Sequence, residues 1–127
     1  MKYLLFSILP FFSFSALSSD MERVQANLAS DFSNCSSYFL LMSQALVASG
    51  QDGSLYEQSS INSFRFASEL SNEKVSAARV KLAYKEMYNE LDTNWSNSAI
   101  LIEKYSDLCV ELLENPEKRL EYWSRKY

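Results

Sequence analysis

Histidine is absent from this 127-residue chain, and glycine and proline occur only twice each, as Gly50, Gly53, Pro10 and Pro116. Without imidazole, Ser-His-Asp and Cys-His catalysis are excluded, along with nearly all transition-metal sites. So few turn-forming residues exclude a sandwich or barrel, whose tight reversals need them far more often. A basic excess is missing too. The 12 Lys+Arg stand against 16 Asp+Glu, giving net −4 and a pI of about 4.8. That is the reverse of a nucleic-acid footprint, so no nucleic-acid partner is expected. The length suits one domain.

What is present begins with an address. Met1-Lys2 opens the chain, and an apolar run from Tyr3 to Phe14 follows, interrupted by Pro10. Such a run is too short to cross a bilayer comfortably. Ala16-Leu17-Ser18 then places small residues at the −3 and −1 positions of a cleavage site. The spacing predicts a signal peptide over residues 1–18, cut after Ser18, and a mature domain over residues 19–127. The alternative is an uncleaved anchor. Cleavage removes one of the basic residues (Lys2) and none of the acidic ones, so the mature chain is the more acidic. A periplasmic or secreted location is expected, with no stable membrane insertion after cleavage.

Export changes how the two cysteines read. Cys35 and Cys109 are an even count in a chain bound for an oxidising compartment, and a single disulfide is the economical reading. Two free buried thiols are the alternative. No CxxC redox motif exists, and a zinc site is implausible without histidine.

Along the mature chain, Met21, Val24, Leu28, Phe32, Cys35, Phe39, Met42 and Leu46 recur at steps of three and four. They predict one face of a helix from Met21 to Ala48. Tyr38, Leu41 and Ala45 widen the stripe, so burial on two sides is expected. Ser49–Ser54 is the clear loop, and Ser54 with Glu57 reads as a capping box. A second helix to about Leu70 has Ile61, Phe64, Ala67 and Leu70 as its expected inner face. A third restarts after Ser71-Asn72, either of which suits a cap. It runs to about Leu91 with Ala77, Val80, Tyr84, Met87 and Leu91 inward, and Asp92-Thr93-Asn94 stops it. A fourth, from near Ser98 to Leu113, has Ala99, Ile102, Tyr105, Cys109 and Leu112 inward. Asn115-Pro116 starts a short last helix carrying Leu120, Tyr122 and Trp123, with asparagine as cap and proline where its missing amide costs nothing. The expected fold is all-α: an antiparallel four-helix bundle with a short fifth C-terminal helix, preceded by a cleavable signal peptide. A Cys35–Cys109 bridge would fasten first helix to fourth.

Few constellations invite chemistry. Ser71 and Lys74 match a Ser-x-x-Lys nucleophile motif, but its companion motifs are missing and the chain is too short for that fold. Glu86 and Glu90 form an acid pair of the kind usual on a solvated helix. Glu103, Asp107, Glu111 and Glu114 line one helix in a row that cannot cage a cation. Lys74, Arg79, Lys81 and Lys85 bias the preceding helix the other way, and pairing between the two helices would explain both. Asn34-Cys35-Ser36 and Asn94-Trp95-Ser96 match the N-glycosylation sequon, for which chance is the better explanation. Among the aromatics, Phe66, Tyr88 and Trp95 are hard to place inside, and Tyr122, Trp123 and Tyr127 are ambiguous.

Cys35-Ser36-Ser37-Tyr38-Phe39, Ile102-Glu103-Lys104-Tyr105 ahead of Cys109, Asn115-Pro116-Glu117-Lys118-Arg119 and Tyr122-Trp123 together span most of the mature chain. This combination resembles small exported helical proteins of Gram-negative bacteria and their phages that carry two cysteines. The resemblance implies a periplasmic location and a Cys35–Cys109 bridge, and it brings no activity. On the last helix, Arg119 and Trp123 stand one turn apart.

The expectation is a non-enzymatic protein that binds a macromolecular partner, a protein of the cell envelope. No catalytic residue, cofactor or metal ligand is expected. The candidate partner surface is Tyr88, Arg119, Tyr122 and Trp123. The alternative is a carrier holding an apolar or aromatic small molecule in the bundle core.

Overall fold

The computed structural model describes residues 14–127, with side chains from Ser19 onward. The expected signal peptide, residues 1–18, lies outside the described residues except for the helical backbone at its end. Five helices account for the architecture: α1 (Phe14–Ala48), α2 (Ser54–Leu70), α3 (Glu73–Glu90), α4 (Ala99–Glu114) and α5 (Pro116–Ser124). A short 3-10 turn (Trp95–Asn97) precedes α4, and no strand occurs among the described residues. The fold is all-helical, and none of these helices is long and apolar enough to cross a membrane.

Helix α1 is the hub. It packs most extensively on α2, then on α3, and carries α4 and α5 on its remaining surface, whereas α3 and α4 barely touch. Its stripe is wide enough for this. Phe32, Cys35, Tyr38 and Leu41 are all essentially inaccessible although they point in different directions around the helix. Burial on two sides therefore holds. Leu91, Leu101 and Leu112 from the later elements complete the core. Cys35 and Cys109 lie at disulfide distance, with an S–S separation of 2.12 Å and Cα atoms 5.2 Å apart, tying α1 to α4.

The faces of the later helices differ from the apolar periodicity. On α2 the buried residues are Ser60, Ser63 and Ala67, while Ile61 is 53% exposed. On α3 they are Ser76, Ala83 and Met87, with Ala77 outside and Val80 and Tyr84 half-buried. On α4 Leu101 joins Cys109 and Leu112 inside, while Ala99 is exposed and Ile102 is 43% exposed. Serine is the physical reason. Ser36 Oγ donates to the Ser60 carbonyl (2.9 Å), and Ser60 Oγ donates back to the Ser36 carbonyl (2.8 Å). Ser37 Oγ reaches the Val80 carbonyl on α3 at 2.7 Å. Small side chains let helix backbones approach closely, and a hydroxyl satisfied by a neighbouring carbonyl escapes the cost of burying an unpaired polar group. Close approach at the serines turns Ile61 outward.

The punctuation holds with local differences. Gly50 takes a left-handed φ of 78° in the α1–α2 loop. Gly53, not Ser54, is the N-cap of α2 and the expected capping box does not form; instead Ser54 N–H donates to Asp52 Oδ1 at 2.9 Å. Asn72 does cap α3, accepting from Val75 N–H at 2.8 Å. Asp92 and Thr93, both left-handed (φ 51° and 55°), end α3. Pro116 sits in the first turn of α5, but the Asn115 side chain makes no capping bond.

The expected pairing of the acidic row on α4 with the basic residues of α3 is not made. Among the described residues the ion pair between these helices runs the other way, from Lys104 on α4 to Glu90 on α3 at 3.1 Å. The acidic row of α4 and Lys74, Lys81 and Lys85 of α3 lie opposite the buried residues of their own helices, while Arg79 is half-buried.

Candidate functional site

The C-terminal helix has no fully buried residue, yet it is held firmly in place by polar contacts. Asp31 interrupts the apolar stripe of α1 and is nearly inaccessible, at 9% exposure. Its Oδ2 accepts from Arg119 Nε (2.7 Å) and from Trp123 Nε1 (2.6 Å). The two donors are four residues apart on α5 and so share one face. The Arg119 guanidinium also stacks over the Tyr122 and Trp123 rings, at 4.2 and 4.9 Å from their centroids. Further along, Asn27 Nδ2 donates to the Tyr127 hydroxyl at 2.9 Å, and Arg23 lies over the Tyr127 ring. The tail of the chain is thereby folded back along the first half of α1.

Of the four residues expected on a partner surface, three come together and one does not. Arg119 and Trp123 face α1 through Asp31, and Tyr122 lies beside them, 41% exposed. Tyr88 belongs to a separate aromatic group, with Tyr84 at 6.1 Å and Trp95 at 5.1 Å between ring centroids.

A groove of about 490 Å³ opens where α1, the end of α2 and α5 converge. Its walls are Met21, Val24, Leu28, Leu70, Leu120 and Tyr127, with Asp20, Gln25 and Ser124 completing the lining. Met21 is 71% exposed, Leu120 42% and Tyr127 49%. The periodicity assigned Met21 to the core because it is in phase with Val24 and Leu28. Only the position of α5 shows that the first turn of that stripe is left open. The groove lies at the surface, whereas the interior where a carried molecule was expected is filled by Phe32, Tyr38, Leu41 and their neighbours.

Several other polar groups make contacts within the fold. Ser71 Oγ donates to the Ala67 carbonyl and meets Ser76 Oγ at 3.0 Å, while Lys74 is exposed. Glu90 accepts from the Tyr105 hydroxyl at 2.9 Å and from Lys104 Nζ at 3.1 Å. Burial, and then the bond to Glu90, hold the Tyr105 hydroxyl above its ordinary pKa. Hydrogen bonds to Tyr105 and Glu90 raise Lys104 as well. Among the described residues, no group of three or more acidic or cysteine side chains is placed to hold a metal ion. No protein-family model, curated protein or solved structure matches the chain.

Proposed function

We propose that the chain is a non-enzymatic exported protein, cut after Ser18, that binds a protein of the cell envelope through the groove between α1 and α5. In this reading the helices α1 to α4 run antiparallel, as their short connections favour, and the bridge from Cys35 to Cys109 fastens the assembly for a periplasmic or secreted life. The observation that carries the binding reading is the apolar groove. Met21, Leu120 and Tyr127 leave aliphatic and aromatic surface open to water in one concave place, with Tyr122 exposed on the same short helix. Exposed apolar surface gathered into a depression costs solubility and is the usual mark of a docking site. The bound partner would cover it.

The test is site-specific photo-crosslinking in cells that export the protein, with the crosslinking residue at Leu120 and, as a control, at exposed Gln58 on α2. One discrete protein adduct at position 120 and none at 58 supports the reading. Equal smears at both positions, or none, refutes it. The volume also favours a second occupant. About 490 Å³ lies within the range of small-molecule sites, so an apolar ligand would sit in this groove and not in the core. Native mass spectrometry of the exported protein would reveal it as a retained small mass.

A further inference from the structure

Helix α4 is more apolar than its thin contact with the rest of the molecule requires. On the side opposite Leu101, Cys109 and Leu112, the positions Ile100, Glu103, Asp107, Val110 and Glu114 follow one another at steps of three and four. Ile100 is 45% exposed and Val110 41%. Glu103, Asp107 and Glu114 form no ion pair among the described residues. The strip is about 20 Å long at 1.5 Å per residue and carries both aliphatic and acidic side chains, and beside it Glu111 is paired with Lys118 of α5.

The matching surface is on α3. Opposite its buried Ser76, Ala83 and Met87 lie Lys74, Lys81 and Lys85, all exposed and without an ion pair among the described residues. Leu82, 61% exposed, stands among them. This face is also a single stripe, about 16 Å long. Neither face can meet the other inside one molecule, because each points directly away from its own core.

We infer that the outer face of α4 in one copy packs on the outer face of α3 in a second copy. Three carboxylates then face three ammonium groups while Ile100, Val110 and Leu82 lose water. The contact is heterologous, since two α4 faces would set acid against acid and two α3 faces lysine against lysine. It lies on different helices from the α1–α5 groove and does not depend on the reading of that groove.

Salt alone is a poor probe, because it screens the attraction between the faces and also the repulsion between two chains of net charge −4. Charge reversal is decisive. The purified, oxidised protein is followed by sedimentation velocity from about 10 µM to about 1 mM. The triple variants are Lys74→Glu/Lys81→Glu/Lys85→Glu and Glu103→Lys/Asp107→Lys/Glu114→Lys. Wild type should self-associate as concentration rises, and each triple variant should weaken this by about tenfold or more. Mixing the two variants should restore association at one-to-one stoichiometry, since one then carries two acidic faces and the other two basic ones. A wild-type chain that stays monomeric throughout, triple variants that associate as wild type does, or a mixture that fails to pair each overturns the inference. Circular dichroism checks folding. Should a reversal unfold the chain, the neutral set Glu103→Gln/Asp107→Asn/Glu114→Gln carries the same test.

Discussion

Removing the Asp31 carboxylate should release α5 without unfolding the rest of the molecule. In Asp31→Ala, Arg119 Nε and Trp123 Nε1 lose an acceptor that they hold at 2.7 and 2.6 Å. A hydrogen bond to a charged group contributes about 1.5–3 kcal/mol, so two of them amount to roughly 3–6 kcal/mol if the helix stays where it is. The Arg119 side chain is 23% exposed, so water recovers part of that loss and the lower end applies. Against this, the other contacts that dock α5 and the tail are partial: Trp123 packs half-buried on the core, Asn27 bonds the Tyr127 hydroxyl at an exposed end, no residue of α5 is fully buried and Leu120 is still 42% exposed. Undocking therefore costs less than leaving a guanidinium and an indole N–H shielded and unpaired, and the helix should detach. Hydrogen exchange followed by mass spectrometry measures this directly. Amides of residues 117–127 should lose nearly all protection, while those of α1 around Cys35 and of α4 around Cys109 keep theirs. Exchange in α5 that matches wild type, with an unchanged melting temperature, would refute the claim that this carboxylate holds the helix. A global fall of several kcal/mol with α5 still protected would refute the local character of the release.

Three further outcomes follow from the same geometry. Reducing the Cys35–Cys109 bond, which spans 74 positions, should lower the denaturation midpoint, with about 4 kcal/mol as the chain-entropy ceiling; urea titrations with and without reductant compare the two states. Gly53→Ala should destabilise more than Gly50→Ala, because a Cβ at Gly53 would lie 2.5 Å from the Ser43 carbonyl oxygen whereas at Gly50 it meets open space. The latter should cost only the left-handed backbone strain, about 1 kcal/mol, and a reversed order in urea would contradict the packing of this loop. Burial raises the Tyr38 hydroxyl above its ordinary value near 10, so its contribution to stability is complete below that value and is lost as pH climbs toward the folded-state pKa. Tyr38→Phe should move the alkaline unfolding midpoint upward, and an unchanged midpoint in a pH titration followed by circular dichroism would count against that linkage.

The amino-acid sequence by itself determined the helical class, the two-sided burial of α1 and the places where the chain turns. These are local properties. The scarcity of glycine and proline leaves few breaks, Asn72 and the Asp92–Asn94 segment carry their own turn chemistry, and an apolar stripe as broad as that of α1 has to be covered on more than one side. The pairing of Cys35 with Cys109 was legible as well, because only two cysteines exist. Tertiary structure decided which face each later helix turns inward. A rotation of about 100° per residue separates Ile61 from Ser60, and the choice depends on what the neighbouring helix offers. Ser36 and Ser60 are buried with each hydroxyl bonded to the other's carbonyl, and nothing in either sequence window announces that match. The same holds for Arg119 and Trp123. Their spacing placed them on one face of α5, but that they point at a carboxylate 88 and 92 positions earlier is known only once α5 lies on α1. The open groove beside Met21 arises where a short last helix leaves part of the long first helix uncovered.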